Sequence, residues 1–409
     1  MSSTSNKTLV QKYGGSSLKN ISAIKNIAKK IIKKHSEGFN MVVVVSAMGK
    51  STDQLLNKAT KIIKDISAKH NRDLDMLLST GELVSATLLS MAINSNGVNA
   101  ISLTGTQAGI KTNLNYGSAR ISNIEISRIK KELNSNKIVI VAGFQGISNT
   151  EDITTLGRGG SDTTAVALAA AIKASICEIY TDVEGIYTAD PNIVKEAKLI
   201  HYLSFEEMLE MASLGAKMHP RSIELGSIYN IPISVRHSAR SNKGTIIKSG
   251  IKKMEIREVV TGLPTERKIS KITIKDLSDV PGTAANIFMP LANQGINVDV
   301  IVQGAGTDGK TNLSFTLSES HLNQAIELLS TSDYINPENI NSEKGLGKIS
   351  IVGTGIQNQP GYAARMFKNL ADANVNIDMI TTSEIRITCI IKDSDIDRAT
   401  NILHKEFFK

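Results

Sequence analysis

The sequence is almost free of cysteine: Cys177 and Cys389 stand 212 positions apart, with no C-x-x-C pair and no clustered histidines. This excludes a disulfide scaffold and a zinc site, and makes the cytoplasm the expected compartment. Long apolar runs are also missing. Met41 to Val45 and Ile138 to Ala142, like every other apolar run, fall far short of the ~20 residues that a spanning helix needs, and the start, Met1 to Lys7, is polar. Neither a membrane association nor a secretory signal is expected. The histidines are scattered, and neither G-x-S-x-G nor H-E-x-x-H occurs, so the common hydrolase and metalloprotease sets lack their residues. Aromatic residues are only 4% of the chain and do not interleave with its basic residues, which argues against nucleic acid as a partner.

What is present is the material of a large globular protein. The chain has 409 residues, 41% of them apolar, with 30 glycines, which predicts two or three domains with ample core. The net charge of +8 is concentrated at the start, where residues 1–80 carry 14 Lys and Arg against 5 Asp and Glu. Ile21, Ile24, Ile27, Ala28, Ile31 and Ile32 recur at helical spacing, so Lys25, Lys29, Lys30, Lys33 and Lys34 share the opposite face of one amphipathic helix. A solvated helix face accounts for much of the basic excess.

Through about residue 240, short apolar runs alternate with helical patterns. Thr8 to Gln11, Met41 to Val45, Ala100 to Leu103, Ile138 to Ala142, Ile176 to Tyr180 and Ile233 to Val235 read as buried strands. The segments between them are long enough for crossover helices, which predicts an α/β fold with a mostly parallel sheet covered on both faces. Ligands then sit beyond the carboxyl ends of the strands. Ser238 to Gly250 is polar and glycine-containing, a domain boundary. Beyond it lies a repeat. Residues 281–301 match residues 360–380 at an offset of 79, with 10 of 21 positions identical, including Pro281-Gly282 with Pro360-Gly361 and Asn297-x-Asp299 with Asn376-x-Asp378. Each copy reads as a strand (Ile272 to Ile274; Ile349 to Val352), a Pro-Gly turn, an amphipathic helix and a second strand.

Three loops could carry chemistry. Lys12-Tyr13-Gly14-Gly15-Ser16-Ser17 follows the first strand, where paired glycines let backbone N–H groups approach a phosphate and Lys12 adds a mobile cation. Gly157-Arg158-Gly159-Gly160-Ser161-Asp162 opens the small-residue helix Ala165 to Ala171, and its glycines are an entropic expense that implies a ligand. Tyr180-Thr181-Asp182 through Tyr187 to Asp190-Pro191 combines turn residues, carboxylates and aromatics able to hold a nucleoside. Lys217 is a second mobile cation. Gly49-Lys50-Ser51 is no P-loop, because Val44 stands where its first glycine belongs, and Gly353-Thr354-Gly355 has Asn358 in place of the third glycine of a dinucleotide turn.

These loops, together with Ser46-Ala47-Met48-Gly49, Thr52-Asp53 and Ser79-Thr80-Gly81-Glu82, resemble the aspartate kinases in order and spacing over nearly the whole chain. The resemblance implies a three-layer αβα amino-acid-kinase fold over residues 1–250, followed by two ferredoxin-like (α+β) ACT domains at 265–340 and 345–409, the second completed by strand 256–263. It implies transfer of the ATP γ-phosphoryl group to the β-carboxylate of L-aspartate. By the same resemblance Lys12, Asp162 and Lys217 are catalytic; Thr52, Glu82, Arg158 and Ser161 bind the substrate. Lys12, Tyr13, Gly14, Gly15, Thr181, Asp182, Tyr187 and Lys217 bind ATP, whose phosphates hold Mg²⁺ with no protein metal site.

The family commonly has an arginine where Asn192 stands; its loss either weakens ATP binding or is offset by Lys195 or Lys198. The ACT resemblance implies lysine or threonine as effectors, bound near Asp279, Ala284, Asn297, Asp299 and Gln303 in the first copy and Asn376, Ile377, Ser383 and Glu384 in the second. It also implies a homo-oligomer formed through these domains, with or without a separate ACT-containing subunit. The competing readings are another amino-acid kinase of this fold, and a catalytically inactive amino-acid sensor.

Overall fold

The computed structural model describes residues 7–63, 70–240, 243–250, 259–304, 306, 308–332, 334–357 and 359–408. Residues 1–6, Asn358, part of the 238–250 boundary and residues 256–258 of the strand expected at 256–263 lie outside the described residues. The chain forms two compact units, one within Met1–Ile186 and Leu199–Glu255, the other within Tyr187–Lys198 and Ile256–Lys409.

The first unit is built on an eight-stranded sheet. Its strands are β1 (Thr8–Tyr13), β2 (Asn40–Val45), β3 (Ala100–Leu103), β6 (Ile138–Ala142), β9 (Ile176–Thr181), β10 (Tyr202–Leu203), β11 (Ile233–His237) and β12 (Thr245–Ile247), in the order β10-β12-β11-β9-β1-β2-β6-β3. Every pairing is parallel except β11 with β12. A second, four-stranded sheet was not foreseen. It joins β4 (Ile110–Thr112), β5 (Ile121–Ile124), β7 (Gln145–Ile147) and β8 (Ile153–Thr155), strands too short to show a period.

Helices α1 (Ile21–Ser36) and α3 (Asn71–Asn94) cover one face of the large sheet, burying Ile24, Ile27, Ile31, Leu89 and Ile93 against Leu9, Met41 and Ile140. The Asn20 side chain caps α1 by accepting the Ala23 N–H, and Lys25, Lys29, Lys30 and Lys33 are exposed as expected. Ile21, the first helical residue, is exposed as well, because it precedes the turn that reaches the sheet. Helix α5 (Gly160–Ala171) covers the other face on β1, β2 and β9, and packs against α7 (Pro220–Ile228). The other α-helices among the described residues of this unit are α2 (Ser51–Ile62), α4 (Ser127–Asn134) and α6 (Phe205–Ser213). By length and hydropathy alone α3 could cross a bilayer. Yet it buries Asp75, Ser79, Glu82 and Ser85 within the unit, as a core helix does.

The second unit is one six-stranded sheet made by both repeat copies. The first contributes β13 (Thr265–Ser278), α8 (Thr283–Asn293), β14 (Val298–Gln303), β15 (Lys310–Ser318) and α9 (Leu322–Ser330). The second contributes β16 (Ile340–Val352), α10 (Tyr362–Asp372), β17 (Met379–Ser383), β18 (Arg386–Lys392) and α11 (Ile396–Phe407). The strand order is β14-β15-β13-β16-β18-β17, with all pairs antiparallel. Each copy is thus β-α-β-β-α, one strand and one helix more than the repeat alone suggested, and the copies meet at β13–β16. Two matching ion-pair groups span that seam. Lys271 reaches Asp378 at 2.7 Å and Glu343 at 3.0 Å, while the buried Lys348 reaches Glu266 at 2.8 Å and also pairs with Asp299.

Ahead of β13, Gly262 bridges Val352 of β16. The segment Tyr187–Lys198, although it lies within the expected catalytic span, packs here too. Ala189 and Val194 are buried with Leu263, Ile351, Leu403 and Phe407, and Thr188 Oγ1 is 3.0 Å from His404 Nε2.

Candidate active site

Strand alternation sets the site. Leu9 and Tyr13 of β1 face α1 and α3, so Val10 and Lys12 face α5. There the Lys12 Nζ lies 2.5 Å from Asp162 Oδ1 in the first turn of α5, with only 11% and 15% of the two side chains exposed. A pair this enclosed holds the ammonium in one place at the carboxyl end of the central strand. On the opposite face Tyr13 stacks on Tyr180 with ring centroids 4.8 Å apart, and Gln11 donates to Glu178 at 2.8 Å. The Gly14 N–H donates to the Tyr180 carbonyl at 3.2 Å. These contacts lock β1 to β9 just below the turn.

The turn itself admits no side chain at Gly15, where a Cβ would lie 2.7 Å from the Ala47 carbonyl oxygen and 3.0 Å from that of Gly49. This close approach ties the first glycine loop to the 46–49 loop after β2. The Ala47 N–H then donates to Glu82 Oε1 at 3.1 Å. Glu82 is 4% exposed, and its Oε2 is buried without a hydrogen-bond partner among the described residues. Burial pushes its pKa up to about 7, against the lowering effect of the Ala47 N–H. Thr52 stands beside it, its Oγ1 4.0 Å from where a Cβ on Gly81 would be. Ser161, at the start of α5, packs on Gly143 past the end of β6.

Thus Lys12, Gly14, Gly15, Thr52, Glu82, Ser161 and Asp162 gather at the carboxyl ends of β1, β2 and β6. Arg158 is exposed in the loop before α5, and no carboxylate among the described residues pairs with it. Lys217, on the loop before α7, lies 3.6 Å from Asp182 Oδ1 after β9. Burial raises the Asp182 pKa, but the Thr181 hydroxyl and Lys217 outweigh it and hold the carboxyl below its usual range. Tyr187 belongs to the second unit. So does Asn192, whose backbone and side-chain nitrogens both donate to Asp190 Oδ1, at 2.8 and 2.9 Å.

The candidate effector residues do not form one group within the chain. Asp279 and Ala284 flank the turn before α8, while Asn297, Asp299 and Gln303 lie at or just before β14, one edge of the sheet. Asn376, Ile377, Ser383 and Glu384 flank β17, the opposite edge. Three further residues carry unusual polar positions that sequence reading missed. Ser17 Oγ is buried without a partner among the described residues, beside the first glycine turn. Asp75 and Arg221 are engaged on the backbone around the second. Ser17 lay inside the first motif, whereas nothing in the sequence singles out Asp75 or Arg221.

Residues 7–237 match the amino acid kinase family, and residues 275–332 and 349–407 match the ACT domain. The chain is 46% identical over 402 residues to an aspartokinase of Bacillus sp. strain MGA3, covering 98% of this chain and 97% of that one. It resembles E. coli aspartokinase III solved with aspartate and ADP, at a TM-score of 0.82 and 26% identity, over 98% of this chain and all of the other. It also resembles the same E. coli enzyme solved with lysine and aspartate, at a TM-score of 0.75 and 26% identity, with the same coverage.

Proposed function

The chain belongs to the aspartokinases of the amino acid kinase family, and from that membership we propose how its residues divide the work. The enzyme transfers the γ-phosphoryl group of ATP to the β-carboxylate of L-aspartate, the first step toward lysine, threonine, methionine and diaminopimelate. Its ACT domains make it an allosteric enzyme.

Both reactants are anionic, so the site must offset charge and orient the attacking oxygen. In our reading Lys12, steadied by Asp162, and Lys217 take the phosphates, with the Tyr13-Gly14-Gly15 backbone cradling them. Mg²⁺ carried on those phosphates would neutralise part of their charge. Thr181 and Asp182 serve the adenosine side. Arg158 forks onto a carboxylate of aspartate, Glu82 receives the α-ammonium, and Thr52 and Ser161 add hydroxyls.

The observation that carries this reading is the Glu82 Oε2, a buried acceptor with no partner among the described residues, on the loop network that also holds Gly15. A buried carboxylate oxygen left open is costly unless a ligand donor completes it. Arg158→Lys tests the assignment: the planar fork is lost and the charge kept, so the aspartate KM should rise far more than the ATP KM. Equal rises in both would remove Arg158 from the substrate.

Lysine, threonine or both together are the proposed inhibitors. Asn297, Asp299 and Gln303 lie at one sheet edge and the second effector set at the other, which fits a site completed by an edge of another chain, and Ile301, Val302 and Ile380 leave those edges apolar and exposed. We therefore place a homo-oligomer, or a complex with a separate ACT-containing subunit, at β14 and β17. Cytoplasmic localisation accords with two buried free thiols.

A further inference from the structure

We propose that Asp75 and Arg221 are positioning residues that set the place of Arg158, and through it the affinity for aspartate, by gripping the backbone before it from opposite sides. The proposal rests on Arg158 as the carboxylate-binding residue.

Asp75, in the first half of α3, is 1% exposed and has no cationic partner among the described residues. Its carboxylate is spent on donors from the end of β8 and from the turn between β4 and β5. It accepts the Thr155 N–H at 2.7 Å, the Thr155 hydroxyl at 2.6 Å and the Gly117 N–H at 2.9 Å. Arg221, in the first turn of α7, works from the other side: its guanidinium donates to the Leu156 carbonyl at 2.6 Å and the Ala119 carbonyl at 2.9 Å. The same two stretches are also joined directly, the Ala119 N–H donating to the Thr155 carbonyl at 2.9 Å. The Leu156 N–H in turn donates to the Phe144 carbonyl at 2.8 Å. Every backbone polar group of Thr155 and Leu156 is therefore engaged immediately before Gly157-Arg158.

The loop that follows has no freedom to spare. Gly157 takes φ +75, and a Cβ there would lie 2.9 Å from the carbonyl oxygen of Gly117, the residue Asp75 holds. Gly159 takes φ +68 against His219, where a Cβ would lie 2.3 Å from the His219 Cβ, two residues before Arg221. Arg158 thus stands between two glycines whose backbones are fixed by the elements that carry Asp75 and Arg221. A buried carboxylate and a half-buried guanidinium that ignore each other, each committed to the same short stretch, are an expensive way merely to join two strands. They are an apt way to hold a bidentate fork in register, since a displacement of about 1 Å can cost up to a hundredfold in rate.

Thr155→Val removes the hydroxyl donor with little change of shape, Thr155→Ser keeps it, and Arg221→Lys keeps the charge but cannot span two carbonyls. Aspartate and ATP KM values are measured for each in the full chain, alone and combined with Arg158→Lys. Thr155→Val and Arg221→Lys should raise the aspartate KM about tenfold and leave the ATP KM within about twofold, Thr155→Ser should restore it, and neither should add to the effect of Arg158→Lys. The proposal is overturned if both KM values move together or if the effects persist in full on the Arg158→Lys background. Should Arg158→Lys alone leave the aspartate KM unchanged, the assignment of Arg158 itself falls, whatever the clamp variants do.

Discussion

Replacing Glu82 by glutamine distinguishes a working carboxylate from a structural one. The change keeps the shape and an acceptor for the Ala47 N–H but removes the charge. In the wild type, burial lifts the pKa from 4.5 to about 7, so the folded state prefers the protonated form. The sign follows: the unfolded chain releases this proton first, the folded state is penalised as pH rises from about 4.5, and the penalty is complete above about 7. That interval corresponds to about 3 kcal/mol as an upper bound. Ligand-free Glu82→Gln should therefore be more stable than the wild type at pH 8, by up to that amount, and no more stable below pH 4.5, as urea unfolding would show. Aspartate binding should move the other way. A charge-assisted hydrogen bond is worth about 1.5–3 kcal/mol, so the aspartate KM should rise roughly ten- to hundredfold with the ATP KM little changed. The wild-type aspartate KM should also climb as pH falls below about 7, and the variant's should not. A variant that is less stable at pH 8 and keeps a normal aspartate KM would refute the reasoning and make Glu82 structural.

Lys12→Ala should lower kcat at least ~100-fold, because it removes a preorganised charge from the transferring group, and near wild-type turnover in folded protein would end its catalytic role. Gly15→Ala must displace either the glycine turn or the Ala47 carbonyl, only 2.7 Å from the new Cβ, so the ATP KM should rise more than that for aspartate in steady-state kinetics. Asp299→Ala removes one of two carboxylates on Lys348 and a member of the proposed effector set; inhibition by lysine or threonine should weaken while uninhibited kcat stays within about twofold. Wild-type enzyme indifferent in rate and melting temperature to lysine and threonine, singly and together, would contradict the feedback reading.

The six core strands of the first unit were legible because each holds a short, mostly apolar run, and a strand buried on both faces leaves that mark regardless of its partners. The short strands β4, β5, β7 and β8 left none, since three or four residues cannot display a period, yet β4 and β5 flank Gly117 and β8 ends at Thr155, the two residues that Asp75 holds. The repeat exposed both copies of the second unit but not their union: strand order depends on β13 meeting β16, a pairing that local pattern does not encode. The glycine turns announced themselves by composition. Asp75 and Arg221 did not, because a charged residue on an amphipathic helix reads as surface until its partners, 80 and 65 positions away for Thr155 and Leu156, are known. The burial of Ala189 and Val194 in the second unit was hidden for the same reason.

Hydroxylamine trapping tests the transfer itself most directly. In a single turnover with ATP and Mg²⁺, the wild type should convert L-aspartate to a trapped hydroxamate with matching ADP release, while glutamate gives little and Lys12→Ala with aspartate gives almost none. Equal trapping with glutamate, or ADP release without hydroxamate, would contradict phosphorylation of the aspartate β-carboxylate at this site.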